Sequence, residues 1–245
     1  MKRIKLVVAY DGTAYHGWQL QPGALTIEGE LNKALSRLLG EQIKVIGASR
    51  TDSGVHALGN VAVFDTECRI PAEKLSYALN QKLPEDIRIQ SSCEVEPDFH
   101  PRHCNSRKTY EYRILCREFP QPVKRLYSYF TYHKLDVKRM QEAAAYLVGE
   151  HDFKSFCSVN TVVESTIRRL DSVAVEEQGE EIVIRVRGNG FLYNMVRIIA
   201  GTLMEVGMGK TEPEELPGIL NALDRQAAGP TAPACGLTLV QYEFL

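Results

Sequence analysis

The sequence predicts an α+β chain built as two ferredoxin-like (RRM-like) halves with mainly antiparallel sheets. Two observations predict it. In the first hundred residues, stretches of alternating apolar residues and stretches with an apolar period near 3.6 follow the order strand–helix–strand–strand–helix–strand. The rest of the chain follows a looser version of the same plan, in element order only, since no residue-level repeat links the halves. The linker-like Glu96-Pro97-Asp98 marks the boundary, giving a first domain over 1–100 and a second over 101–245.

Each element has a local reason. Ile4, Leu6, Val8 and Tyr10 share one face of a strand over 3–10, and Asp11-Gly12-Thr13 turns the chain. Thr26 can cap a helix whose apolar stripe is Ile27, Leu31, Ala34, Leu35 and Leu38, with Gly40 as its stop. Strands over 42–48 and 60–66 flank a polar loop. Pro71 opens a second helix through Asn80, and Pro84 precedes a strand over 86–92. In the second half, strands over 107–117 and 126–132 precede a helix from an Asp136 cap to Gly149. Strands over 166–177 and 181–188 make a hairpin across Gln178-Gly179. Helices over 190–206 and 212–224 and a last strand over 236–243 complete the chain. Residues 151–165 read as a long loop, of the kind that is often functional.

Composition narrows the function classes. With 44% hydrophobic and 24% charged residues, the chain is of ordinary globular type. No apolar run approaches the roughly 18 residues that a membrane span needs. The basic-then-apolar N-terminus stops at Tyr10-Asp11-Gly12, as a first strand does and a signal peptide does not, so a cytoplasmic protein is expected. Six scattered cysteines without a CxxC pair fit reduced thiols. His100, His103 and Cys104 lie close in sequence, but no second ligand pair follows, and no metal is expected. A net charge of −2 argues against a protein that coats nucleic acid indiscriminately. Residues 101–140 nonetheless hold ten Lys and Arg against three acids, interleaved with seven Tyr and Phe. That window suits either an RNA surface, with cations on phosphates and rings on bases, or a half-exposed sheet.

Four segments place polar residues among small ones at element ends. Tyr10 to Gln19 contains the only Trp and two glycines. Ser49-Arg50-Thr51-Asp52-Ser53-Gly54-Val55-His56 puts a carboxylate and a guanidinium in a short loop between apolar runs. Asp52 can attack an electrophilic carbon or take a proton, or it can simply bond its own turn. Arg50 can pair with Asp52, meet a phosphate or push into a nucleic-acid stack. Phe99 to Tyr112 would run an RNA-contact loop into a strand carrying Tyr110, a residue able either to stack on an extruded base or to fill the core. Gly188 to Ile199 starts an apolar helix that contains Arg197, a charge that calls for a carboxylate partner. Asp52 is the natural candidate for that partner.

Together these segments resemble the tRNA pseudouridine synthase A family. The matching pieces are Tyr10-Asp11-Gly12-Thr13 with Gly17-Trp18-Gln19, Arg50-Thr51-Asp52 with Gly54-Val55-His56, Phe99-His100 with Arg102, and Tyr110. Further on they are His151-Asp152-Phe153 with Ser155-Phe156, Gly190-Phe191-Leu192 through Met195-Val196-Arg197, and Ala232-Pro233-Ala234 with Gly236-Leu237. They run in the family's order over nearly the whole chain. Ser49 and Ser53 replace the usual Gly and Ala, and His100-Pro101-Arg102-His103 replaces the usual His-Ala-Arg-Phe.

The resemblance implies the pseudouridine synthase fold, with two halves meeting at a central RNA-binding cleft. It also implies isomerisation of uridine to pseudouridine at positions 38, 39 and 40 of the tRNA anticodon stem-loop, in a homodimer, without cofactor or metal. It makes Asp52 the nucleophile, or a base on the sugar, and Arg197 its ionic partner. Arg50 is assigned to the space left by the flipped uridine or to a flanking phosphate. Tyr110 stacks on the flipped base, Leu237 packs on the uracil, and Phe99, His100 and Arg102 belong to an RNA-contact loop.

Overall fold

The computed structural model describes residues 1–159 and 163–245. They divide into two compact units, one of Met1–Asn105 with Leu239–Leu245 and one of Ser106–Thr238. The architecture is α+β with mostly antiparallel strands.

In the first unit, β1 (Lys2–Tyr10) lies between β3 (His56–Thr66) and β4 (Ile87–Val95), antiparallel to both. The last strand, β10 (Leu237–Phe244), lies on the far side of β3. Ile4, Leu6, Val8 and Tyr10 are buried, as their alternation predicts. Helix α1 (Ile27–Leu39) buries Ile27, Leu31, Ala34 and Leu35. The Thr26 side chain accepts from the Gly29 N–H at its start, and Gly40, in the left-handed region, closes it. Helix α2 (Leu75–Asn80) adds Leu75 and Leu79 to the core.

The strand expected over 42–48 shrinks to a two-residue β2 (Ile46–Gly47) on β3. The cause lies in α1. Its Ser36 Oγ takes the Ile43 N–H at 2.9 Å and its Asn32 Oδ1 takes the Val45 N–H at 2.8 Å, so side chains satisfy donors that a ladder would have used.

In the second unit the strand order is β5 (Ser106–Cys116), β9 (Glu181–Gly188), β8 (Ile167–Gln178), β7 (Gly149–Asp152), all antiparallel neighbours. A short β6 (Tyr129–Thr131) runs parallel to β5. Helices α3 (Val137–Ala145), α4 (Met195–Gly207) and α5 (Leu216–Ala222) complete it.

Two expectations change here. Residues 149–152 form a paired strand, whereas 151 onward was expected to be loop; Asn160, Thr161 and Val162 of that stretch lie outside the described residues. Helix α4 begins at Met195 rather than 190, because Asn194 takes the left-handed conformation (φ 61°) and the preceding residues turn.

The basic–aromatic window is partly satisfied within this unit. Tyr110 and Tyr112 are buried. Arg107 pairs with Asp171, Arg113 with Glu111 and Glu181, Arg117 with Glu180, Lys124 with Glu181 and Arg139 with Glu212. Among the described residues, no helix is long and apolar enough to cross a membrane.

Candidate active site

The Asp52 loop joins β2 to β3, and every second residue of its first half is anchored. Ser49 and Thr51 are buried, Arg50 is exposed and Asp52 is half-buried. The anchor is Asn60, wholly buried in β3. Its Oδ1 accepts from the Ser49 N–H at 3.2 Å and its Nδ2 donates to the Ser49 carbonyl at 3.0 Å. The same Nδ2 donates to the Tyr10 hydroxyl at 3.3 Å, and that hydroxyl lies 2.7 Å from Thr51 Oγ1. The phenol accepts from Asn60 and shares a hydrogen bond with Thr51 in which either oxygen can be the donor. Burial pushes the Tyr10 phenol well above its usual range, so it stays protonated at neutral pH. A side-chain relay from β3 through β1 thus fixes the residues on both sides of Arg50 and the one before Asp52.

The backbone on the other side of the loop is held by the Tyr10–Gln19 segment. The Trp18 N–H donates to the Thr51 carbonyl at 3.0 Å, and the Tyr15 carbonyl accepts both the Gly54 N–H and the Ser53 hydroxyl at 3.2 Å. The Val55 N–H closes the turn on the Asp52 carbonyl at 3.2 Å. The Gly12 N–H donates to Nδ1 of buried His56 at 3.1 Å, and a Cβ on Gly12 would collide with the Val55 carbonyl. The first motif is therefore the cradle of the second, a relation their separation in sequence conceals.

The third segment reaches the same loop. Arg102 Nε donates to the Gly47 carbonyl at 2.7 Å, just upstream of it. Burial lowers the Arg102 pKa, and the nearby Arg50 charge lowers it further, so the two cations lie within each other's field. The His100 and His103 rings stack at 3.9 Å, while Phe99 packs edge-on against Phe244 at 5.1 Å. Phe99 is a packing residue of this unit whatever else it touches.

In the second unit, Arg197 lies in the first turn of α4. Its Nη1 donates to Asn194 Oδ1 at 2.8 Å and its Nε to the Ala232 carbonyl at 2.7 Å. The Tyr112 hydroxyl donates to the next carbonyl, that of Pro233, at 2.9 Å. These bonds hold the strip that leads to Leu237, which is buried at the start of β10. Tyr110 is 7% exposed and meets Phe191 edge-on at 5.1 Å.

Sequence reasoning missed Asn60 and gave Thr51 no role beyond its place in the motif. The signal was an amide inside an apolar strand, Gly59-Asn60-Val61, which a strand does not favour unless its polar atoms are used. Tyr10→Phe tests the relay. It leaves the Asn60 amide and the Thr51 hydroxyl each one partner short, at a cost of about 1–2 kcal/mol. In a chain of this size Tm falls by roughly 2–8 °C, and turnover drops several-fold while tRNA affinity holds, as thermal melts and initial rates will show.

A family model described as tRNA pseudouridine synthase matches residues 6–103 and 143–244. Relatives named tRNA pseudouridine synthase A match along their whole length. The one from Acetivibrio thermocellus is 48% identical over 244 residues and that from Brevibacillus brevis is 50% identical over 244. The one from Ruminiclostridium cellulolyticum is 50% identical over 245, and all three alignments cover 100% of both chains. The chain belongs to the tRNA pseudouridine synthase family and is an isomerase of tRNA uridine.

Proposed function

We propose that this chain converts uridine to pseudouridine at positions 38, 39 and 40 of the tRNA anticodon stem-loop, with Asp52 as the nucleophile. The observation that carries this reading is the pattern at the loop: Ser49 and Thr51 are locked by buried hydrogen bonds, and Asp52 is left half-exposed beside an exposed Arg50. A carboxylate held this way needs little reorganisation to react.

The uridine first leaves the stack, at a cost of a few kcal/mol. Its N1–C1′ bond then breaks, the uracil turns, and a C5–C1′ bond forms. The C5 proton is lost and N1 gains one, so the product is an isomer and no redox partner takes part. Asp52 serves as nucleophile or as base on the sugar. Arg50 occupies the vacated space or meets a flanking phosphate, and Arg102 with His100 and Phe99 forms the adjoining contact loop. Tyr110 stacks on the flipped base, Leu237 packs against it, and Arg197 serves as the counter-charge of Asp52. The chain acts as a cytoplasmic homodimer, two copies sharing one tRNA, and neighbouring positions are reached because the arm is read by shape.

The test is pseudouridine mapping on unmodified tRNA with uridine at 38, 39 and 40. Conversion at those positions is expected. Conversion elsewhere only would replace the proposed site, and tight binding without conversion would leave an RNA-binding module.

A further inference from the structure

The second unit closes most of its guanidiniums on carboxylates. Arg113 and Arg185 meet Glu111, Arg117 meets Glu180, Arg139 meets Glu212, and Arg107, Arg169 and Arg187 gather round Asp171. Arg168 departs from that pattern. It lies near the start of β8, opposite His151 of β7. Its Nη1 donates to two backbone carbonyls, those of Ser165 at 2.9 Å and Ile167 at 2.6 Å. Burial lowers its pKa, and among the described residues the one titratable group that acts on it is the Cys157 thiol. No carboxylate among the described residues pairs with it.

The surroundings orient this cation without neutralising it. Carbonyl oxygens fix one nitrogen of the fork. Gly190 walls another side, where a Cβ would stand 3.6 Å from Arg168 Cδ and Nε. The same turn leads into the start of α4. The Ser158 N–H donates to the Tyr193 carbonyl at 3.2 Å, and Asn194 Nδ2 donates to Ser158 Oγ at 2.8 Å. Asn194 is in turn the residue that accepts from Arg197. A half-buried cation without a counter-ion is costly, and a sheet that pairs its other arginines had cheaper residues for this position. The cost is offset if an anion arrives from outside. The planar fork matches two oxygens of a phosphate, and the substrate of this family, tRNA, carries a phosphodiester at every backbone step.

We propose that Arg168 is a substrate-binding residue that takes a backbone phosphodiester of the tRNA beside the Gly190 turn. This rests on the reading that the chain acts on tRNA, and it assigns Arg168 no part in the bond-making steps. The experiment measures the Kd of unmodified tRNA across a KCl series for the full-length Asp52→Asn protein, with and without Arg168→Gln. Removing one phosphate contact should weaken binding by roughly tenfold or more, as loss of a charge-assisted hydrogen bond does. It should also reduce the slope of log Kd against log salt by roughly 0.7–0.9. An unchanged slope overturns the proposal even if affinity or stability falls, because a purely structural role does not alter counterion release. If the Gln protein does not fold, Arg168→Lys replaces it. That variant should keep the slope and bind several-fold more weakly, since it keeps the charge and loses the fork; wild-type affinity overturns the proposal. Turnover by the Asp52→Asn parent would remove the proposed nucleophile and leave the Arg168 result readable.

Discussion

Asp52→Asn binds tRNA and leaves its uridines unconverted, with kcat reduced by about 10^4-fold or more, the scale at which loss of a nucleophile is usually felt. The amide matches the carboxylate in size, and the loop is anchored through its neighbours and its backbone. Ser49 is held by Asn60, Thr51 by Tyr10 and by Trp18, and the turn closes on the Asp52 carbonyl. Folding should therefore be nearly unchanged. Binding should be equal or tighter, because a negative charge is removed from a surface that receives a polyanion. Single-turnover conversion with saturating enzyme, set beside a Kd measurement, separates the two effects. Conversion within about tenfold of wild type would take Asp52 out of the chemistry, since tenfold is only about 1.4 kcal/mol of barrier. Weak binding with normal single-turnover conversion would make it a substrate contact.

Much of the scaffold was legible because its elements carry their own start and stop signals. Helix α1 has Thr26 before it and Gly40 behind it, both acting as read, and it buries four of the five stripe residues while Leu38 stays half-buried. Strand β1 buries the alternate residues that it should. Two of the losses share a cause: partners outside the segment decided its pairing. Gly149-Glu150-His151-Asp152 shows no apolar alternation, yet pairs with Ile167–Leu170 at the end of the sheet, where an edge strand needs little burial. Residues 42–45 look like strand, and lose their ladder to Asn32 and Ser36 of the helix before them.

The site divides the same way. The Asp52 loop stood out by composition, and so did the turn around Gly17 and Trp18. That the second cradles the first required the fold, because the bonds join residues some forty positions apart. The amide of Asn60 in an apolar strand was a signal, but its partners were not legible for the same reason, and its purpose appears only when four of its polar contacts are found at once. Arg197 shows the reverse. Its presence in an apolar helix was a clear signal of a required partner, and the structure adds Ala232 and Asn194 to whatever else it meets.

Gly17→Ala should be a damaging small change in the cradle, and Gly23→Ala measures why. Both glycines have positive φ, 82° and 73°. An alanine at either position pays the left-handed penalty of about 1–2 kcal/mol. At Gly23 nothing lies within 4 Å of the new methyl, so that strain is the whole cost. At Gly17 the Cβ would stand 2.6 Å from the Thr51 carbonyl oxygen and 3.1 Å from the Asp52 carbonyl carbon. Both are backbone atoms in a loop bonded on either side, so neither can swing away as a side-chain tip would. The Trp18 N–H bond to that same Thr51 oxygen must lengthen or break, which adds about 1–3 kcal/mol for a buried group left unpaired. Gly17→Ala is therefore expected to cost at least about 2 kcal/mol more than Gly23→Ala, the clash and the lost bond together. It should also lose most of its kcat in the fraction that remains folded, because an ångström of displacement at a reacting group can cost about a hundredfold. Denaturant melts and turnover per folded molecule decide it. Equal destabilisation by the two variants, with normal turnover in both, would mean that the Tyr10–Gln19 segment does not position Asp52.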